Sequence, residues 1–383
     1  MKNVLYSICY TVLPGFHRVV LFFITAKLMS VDNFAHFSVS YSFSIIVSMV
    51  GAIGIGTIII KDEISLSLKM YMNSIIMAIF ISIPVIFIGS WYYYSYHNNI
   101  IQSIVLAIGL SANQIYRNEI ILKKKFLYGS LYESFLLLLS ILIIVNNTDN
   151  IILMLGLLYI VVSFLFKLLE KVPYKKAEFN IEQATYISYS NLISSGILFL
   201  LPIMSVSLTS TDVTKVVSLL VSIIGVVSVF PRAIFNLKIK EVKNDLVNKN
   251  FISYKKNIFK FRYLTTVLML FSFIVVSFYM YYMNDILPFF MVFVFVILVS
   301  LFLYVGQMSI PETTMINMIG HERYSLLLNL SIFMFFCSTY FLLKFISFDG
   351  EFISLYILCS SILVGYFSRA ILVSRRIKGF ILS

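Results

Sequence analysis

Phe34 to Ile60 reads FAHFSVSYSFSIIVSMVGAIGIGTIII and is closed by Lys61. No Asp, Glu, Lys or Arg interrupts it. A helix rises about 1.5 Å per residue, so ~20 apolar residues cross the ~30 Å hydrocarbon layer. This segment is long enough to do so. Its Ser40, Ser44 and Ser48 recur every fourth residue, which places them on one helix face suited to close packing or to a cavity wall. The rest of the chain has the same character. Of its 383 residues, 60% are hydrophobic and 12% charged, and the mean hydropathy is +0.96. A soluble domain carries about 25% charged residues, so a bilayer is the solvent this composition suits.

Working outward, twelve candidate spans fall at about 5–29, 34–60, 70–92, 100–122, 127–146, 150–169, 185–208, 213–235, 263–283, 286–308, 324–345 and 352–373. The tenth is interrupted by Pro288 and ends at Pro311. The expected fold class is all-α: a polytopic membrane protein of about 12 transmembrane helices in two six-helix halves. Residues 1–180 form the first half and 181–383 the second, the latter with a cytoplasmic loop at 236–261. The charges of that loop suit a helix lying on anionic headgroups.

The net charge of +12 is not spread evenly. Of 29 Lys and Arg, all but Arg18, Lys27, Lys215 and Lys344 fall in connections on the side of the N-terminus. The positive-inside bias then puts both termini in the cytoplasm, in a cell inner membrane, with an even number of spans. It also accounts for the basic balance without nucleic acid. The opposite loops are short, hold Asp32, Asp149, Asp212 and Asp285, and leave no room for an external domain. Cys9, Cys337 and Cys359 lie in apolar runs with no CxxC or Cys/His spacing, so neither a disulfide framework nor a metal site is indicated. The abundance of tyrosine reads as composition alone.

A shift of 180 residues lays the first helical hairpin on the seventh and eighth spans. Ser30-Val31-Asp32 falls on Ser210-Thr211-Asp212, Thr11 on Asn191, Thr25 on Ser205, and Ser48 on Ser228. Halves repeated in this way meet around a central cavity in many transporters.

Arg18 is the sharpest functional signal. It lies near the middle of the first span, where a guanidinium costs at least ~2.5–3.5 kcal/mol and is expected to face protein or water. Ser7, Thr11, Pro14, Arg18 and Thr25 share one helix face, read as cavity-facing. Asn191, Ser194, Pro202 and Ser205 form a matching stripe on span 7, able to bind sugar hydroxyls or to join helices. Arg117 and Arg232 end spans near the inner mouth and are candidates, with Arg18, for gripping a diphosphate. Glu133, Glu312 and the outer Asp32 are the candidates for ion coupling. No catalytic residue and no cofactor is expected.

The hairpin Ile24-Thr25-Ala26-Lys27-Leu28-Met29-Ser30-Val31-Asp32-Asn33-Phe34, continuing Ala35-His36-Phe37-Ser38, resembles the first hairpin of the polysaccharide (O-antigen, Wzx-type) flippases. These belong to the multidrug/oligosaccharidyl-lipid/polysaccharide exporter superfamily. Gly51 to Gly56 with Lys61, Phe230-Pro231-Arg232, and Gln307 through Arg323 are similar to further stretches of that family. Ala35 stands where the family has glycine, and Ser205 and Ser207 stand where span 7 often carries an acid. The resemblance implies alternating access and an undecaprenyl-diphosphate-linked oligosaccharide as cargo. It also implies membrane lipids, and polymerase and chain-length proteins of the same pathway, as partners. The alternatives are a multidrug antiporter of the same superfamily or a membrane-embedded polysaccharide polymerase or ligase. An enzyme of that kind would need a partnered acid on a sizeable external loop, and the only histidine there is His97.

Overall fold

The computed structural model describes residues 2–94, 100–146, 150–170, 179–227, 231, 235, 241–242, 244–246, 248, 250–284, 287–318, 321–346 and 352–382. Every regular element among them is helical. In chain order they are α1 (Lys2–Leu28), α2 (Val31–Lys61), α3 (Leu68–Tyr94), α4 (Ile100–Leu122), α5 (Phe126–Asn146), α6 (Ile151–Leu169) and α7 (Ile181–Asn191). A π-helical turn (Leu192–Gly196) leads into α8 (Ile197–Leu208). Then come α9 (Thr211–Val227), α10 (Phe251–Met283), α11 (Phe289–Met308), α12 (Ile310–Met318), α13 (Glu322–Phe345) and α14 (Ile353–Leu382).

Nine of these helices are long and apolar enough to cross a bilayer. Three further segments complete about twelve spans. They are α4, which carries Arg117 and Glu119; the helix 181–208, split by the π turn; and the 17-residue α9. Phe87, Ile101 and Leu169 are each more than 70% exposed, an arrangement that only hydrocarbon makes favourable. The protein is a multi-pass all-α membrane protein.

The chain divides into two compact units, Met1–Ile203 and Met204–Ser383. The sequence division at 180/181 falls before α7, whereas this one falls inside α8. The reason is visible in the packing of α7 on α2. The Gly54 N–H donates to Ser188 Oγ at 3.1 Å, and a Cβ on Gly54 would lie 2.0 Å from the Ala184 carbonyl oxygen. Only a glycine lets the two backbones come this close. Within the first unit α2 also packs on α4 and α3, α4 on α6, and α1 on α5. The α4–α6 crossing is again a glycine contact, Gly109 against the Gly156 carbonyl. Ser44 Oγ donates to the Ser103 carbonyl and Ser82 Oγ to the Val47 carbonyl, so serines fasten neighbouring helices.

In the second unit α11 packs on α14, α14 on α13, and α10 on α11 and α9. The connection to 261, expected to hold a helix lying on headgroups, is helical from Phe251 and runs without a break into the span that follows. Asn250 caps this helix by accepting from the Ser253 N–H, and Tyr254, Ile258 and Phe261 turn one face into a small apolar core. Pro288 N-caps α11, and Pro311 sits in the first turn of α12, a position that needs no proline N–H.

The 180-residue repeat is visible in the caps. Ser30 Oγ accepts from the Asn33 N–H at 3.4 Å, and Ser210 Oγ accepts from the Val213 N–H at 3.4 Å. Asp32 and Asp212 then occupy the first turns of α2 and α9, where a carboxylate complements the helix dipole.

Candidate functional site

A polar seam runs through the interior of the first unit. Helix α1 contributes Tyr10, His17 and Arg18, and α2 contributes Tyr41. Asn113 and Arg117 come from α4, Tyr132 and Glu133 from α5, and Tyr159 and Ser163 from α6. These polar groups sit inside the unit among buried apolar side chains, because a polar group unsatisfied in hydrocarbon costs several kcal/mol (~2–7).

Two of the expected site residues meet here. Arg117 Nε lies 2.9 Å from Glu133 Oε1. The N–H does not point at the oxygen, so this is a charge contact and both Glu133 oxygens lack a hydrogen-bond donor. Arg117 Nη1 donates to Gln114 Oε1, and its guanidinium stands over the Tyr10 ring, 5.6 Å from the centroid. The Tyr10 hydroxyl donates to the Arg117 carbonyl. Next to this pair, Tyr132 bonds Asn113 at 2.8 Å and Ser163 at 2.7 Å.

Arg18 is different. No carboxylate among the described residues lies within ion-pair distance of it. Its guanidinium carbon stands 4.7 Å from the centre of the Phe199 ring on α8, and its Nε is buried without a hydrogen-bond partner. Tyr41 is its electrostatic neighbour and feels Glu133 as well. Against the ~2.5–3.5 kcal/mol cost of an arginine at this depth, a cation–π contact returns about 0.5–2 kcal/mol. The ring therefore leaves part of the cost uncovered. His17, one residue before, is buried and stacks on Tyr159 with ring centroids 5.9 Å apart.

Thr25 is fully buried and donates to the Leu21 and Phe22 carbonyls of its own helix. Asn191 is half-buried and its amide donates to the Ile187 carbonyl. Thr11 is half-buried and Ser205 buried. Asp32 is exposed in the first turn of α2. Glu312 is buried in the second unit, in contact with Arg262 of α10. Arg232 and the side chain of Ser194 lie outside the described residues. Tyr10, Tyr41, Tyr159 and Phe199 were not anticipated. No group of three or more His, Cys, Asp or Glu suited to a metal occurs among the described residues.

A second charged cluster closes the Lys/Arg-rich end of the same unit. Lys167 Nζ lies 2.7 Å from both oxygens of Glu119, and neither side chain is exposed. Glu119 also accepts from the Leu66 N–H, and Lys123 bridges Glu119 to Glu170. Burial alone would raise the Glu170 carboxyl, but hydrogen bonds and charge from Lys123 and Lys125 outweigh it and hold it below the usual carboxylate range. The cluster ties α4, α6 and the α2–α3 turn together.

No family model and no curated protein matches the sequence. Solved structures do match the fold. A eukaryotic MATE transporter, AtDTX14, superposes with a TM-score of 0.59 at 14% identity, over 97% of this chain and 94% of its own. A MOP superfamily transporter from Pyrococcus furiosus, described for the reversed polarity of its binding pocket, superposes at 0.55 and 14%, over 99% and 96%. An outward-facing multidrug resistance MATE transporter of the MOP superfamily superposes at 0.54 and 12%, over 100% and 97%. The chain has the fold of MOP superfamily transporters along its whole length.

Proposed function

We propose that the chain is a flippase that carries an undecaprenyl-diphosphate-linked oligosaccharide, an O-antigen or capsule repeat unit, from the cytoplasmic to the outer leaflet by alternating access. Arg18 carries this reading: a mid-span guanidinium held on an aromatic face, with no carboxylate among the described residues to neutralise it. A diphosphate accepts the paired N–H donors of arginine bidentately and brings the charge that the site lacks. Arg117 is already matched by Glu133 and serves as a structural or ion-coupling pair, with Arg232 and the hydroxyls of spans 1 and 7 as accessory contacts. Glu133, Glu312 and Asp32 remain the carboxylates through which an ion would couple. The cell inner membrane with both termini inside, and contact with the polymerase and chain-length proteins of the pathway, belong to the same proposal.

A second reading is a multidrug antiporter. The solved structures favour it over the flippase reading, since one that shares this fold is described as a multidrug resistance transporter. At 12–14% identity they speak for the fold alone. A pocket for cationic drugs requires unpaired acid, whereas the unpaired mid-span charge in the first unit is Arg18. The reversed pocket polarity of the Pyrococcus furiosus transporter, described as suggesting a different function, is a precedent for variation of function on this fold.

The test is the pool of lipid-linked repeat units in a strain deleted for this protein. Single units accumulate on the cytoplasmic leaflet; the wild-type chain restores export, Arg18→Lys restores part of it and Arg18→Ala none, at matched membrane levels. Equal export by wild type and Arg18→Ala removes the diphosphate role. Units reaching the outer leaflet without the protein remove the flippase.

A further inference from the structure

Helix α10 is longer than a bilayer needs. Its 33 residues span about 50 Å, against ~30 Å of hydrocarbon. About the first dozen residues therefore stand outside the acyl layer. One face of this extension is committed: Tyr254, Ile258 and Phe261 pack with Phe235, Met315 and Val373 in a core at the end of the second unit. The opposite face is bare. Ile252 is 85% exposed, Phe259 72% and Tyr263 67%, and Lys255, Lys256 and Lys260 are exposed between them.

Ile252, Lys256, Phe259 and Tyr263 fall on one helical stripe. Below Tyr263 the same stripe continues through Val267, Leu270, Phe271 and Phe278, all exposed. Those lower side chains lie at acyl-chain depth, so the face that meets lipid tails in the membrane keeps its direction into the extension and there becomes basic and aromatic. Helix α14 ends alongside. Val373 and Ile377 enter the shared core, while Arg375, Arg376 and Lys378 are exposed. The carboxylate of Asp245 accepts from Ser253 and Asn257, so it is engaged away from the three lysines.

We infer that this face is a binding surface for anionic phospholipid headgroups, with Lys255, Lys256 and Lys260 of α10 as its centre and the end of α14 as its flank. The occupant is a lipid and not a protein because the face is continuous with the acyl-facing stripe of the same helix. The charges match: each lysine near an anionic surface favours partition about fivefold. Ile252, Phe259 and Tyr263 supply the apolar contact that holds such a helix in the headgroup layer. The inference is independent of the cargo.

The experiment is native mass spectrometry of the full chain purified with equimolar phosphatidylglycerol and phosphatidylcholine. The wild type is expected to retain phosphatidylglycerol at least tenfold over phosphatidylcholine, with the preference falling as salt is raised. The variant Lys255→Gln/Lys256→Gln/Lys260→Gln is expected to bring the ratio to within about threefold, and the corresponding triple Lys→Arg variant to keep it. Matched thermal midpoints in zwitterionic micelles show that the variants are folded. No preference in the wild type, or a preference that survives the Gln substitutions, overturns the proposal. Retention of a bound acidic protein in place of lipid overturns it too.

Discussion

Lys167 carries an ammonium in the last turn of α6, and both oxygens of Glu119 lie 2.7 Å from it. Both side chains are wholly buried. Removing Lys167 takes from Glu119 the cation that reaches both its oxygens and leaves it Lys123 and the Leu66 N–H, at a cost of up to about 3–5 kcal/mol. Lys167→Met is therefore expected to lower the thermal midpoint of the purified protein markedly, and Lys167→Met/Glu119→Leu to recover much of the loss. An unchanged midpoint in the single variant contradicts the account of this cluster. Arg18 was legible in the sequence because one basic residue interrupts a long apolar run. The Arg117–Glu133 contact was not: the partners sit on different helices, and no local spacing links them. The tyrosines that line the seam were hidden for another reason. Tyrosine occurs 25 times in this chain, so its placement at Tyr10, Tyr41 and Tyr159 carried no signal until helix faces were fixed.

At the scale of elements, apolar run length found the spans and missed what interrupts them. The π turn at Leu192–Gly196 widens the helix within an otherwise apolar stretch, and no hydropathy pattern marks it. The first turns of α10 were legible as a helix, since their charges suit one lying on headgroups, and Tyr254, Ile258 and Phe261 recur there at helical spacing. The paired caps at Ser30 and Ser210 were readable, since capping is local chemistry. The closest approach of α2 and α7 required the fold. Gly54→Leu would push a side chain into the Ala184 carbonyl and the Ser188 hydroxyl. It is expected to cost about 1–3 kcal/mol and to weaken protection of the α7 amides from hydrogen exchange. Ser188→Ala, which removes one hydrogen bond, should cost about 1 kcal/mol. Wild-type exchange in Gly54→Leu would mean that α2 and α7 do not rely on this crossing.

For the whole molecule, composition and charge asymmetry were enough to choose the bilayer, the helical class and about twelve spans, because all three follow from solvent and length. Cargo is a different matter: it depends on which charges stay unmatched once helices have paired, and pairing is a property of three dimensions. One solved structure of this fold is described as a multidrug resistance transporter, so the sign of the unpaired mid-span charge is what separates the proposed cargo from a cationic drug. The most direct measurement is equilibrium binding to the purified protein in zwitterionic nanodiscs, with undecaprenyl diphosphate and a lipophilic quaternary ammonium as competing ligands. The account predicts that the diphosphate binds and the cation does not, and that Arg18→Gln weakens the diphosphate at least tenfold while leaving Arg18→Lys intermediate. Tighter binding of the cation, or diphosphate binding indifferent to Arg18→Gln, would contradict it.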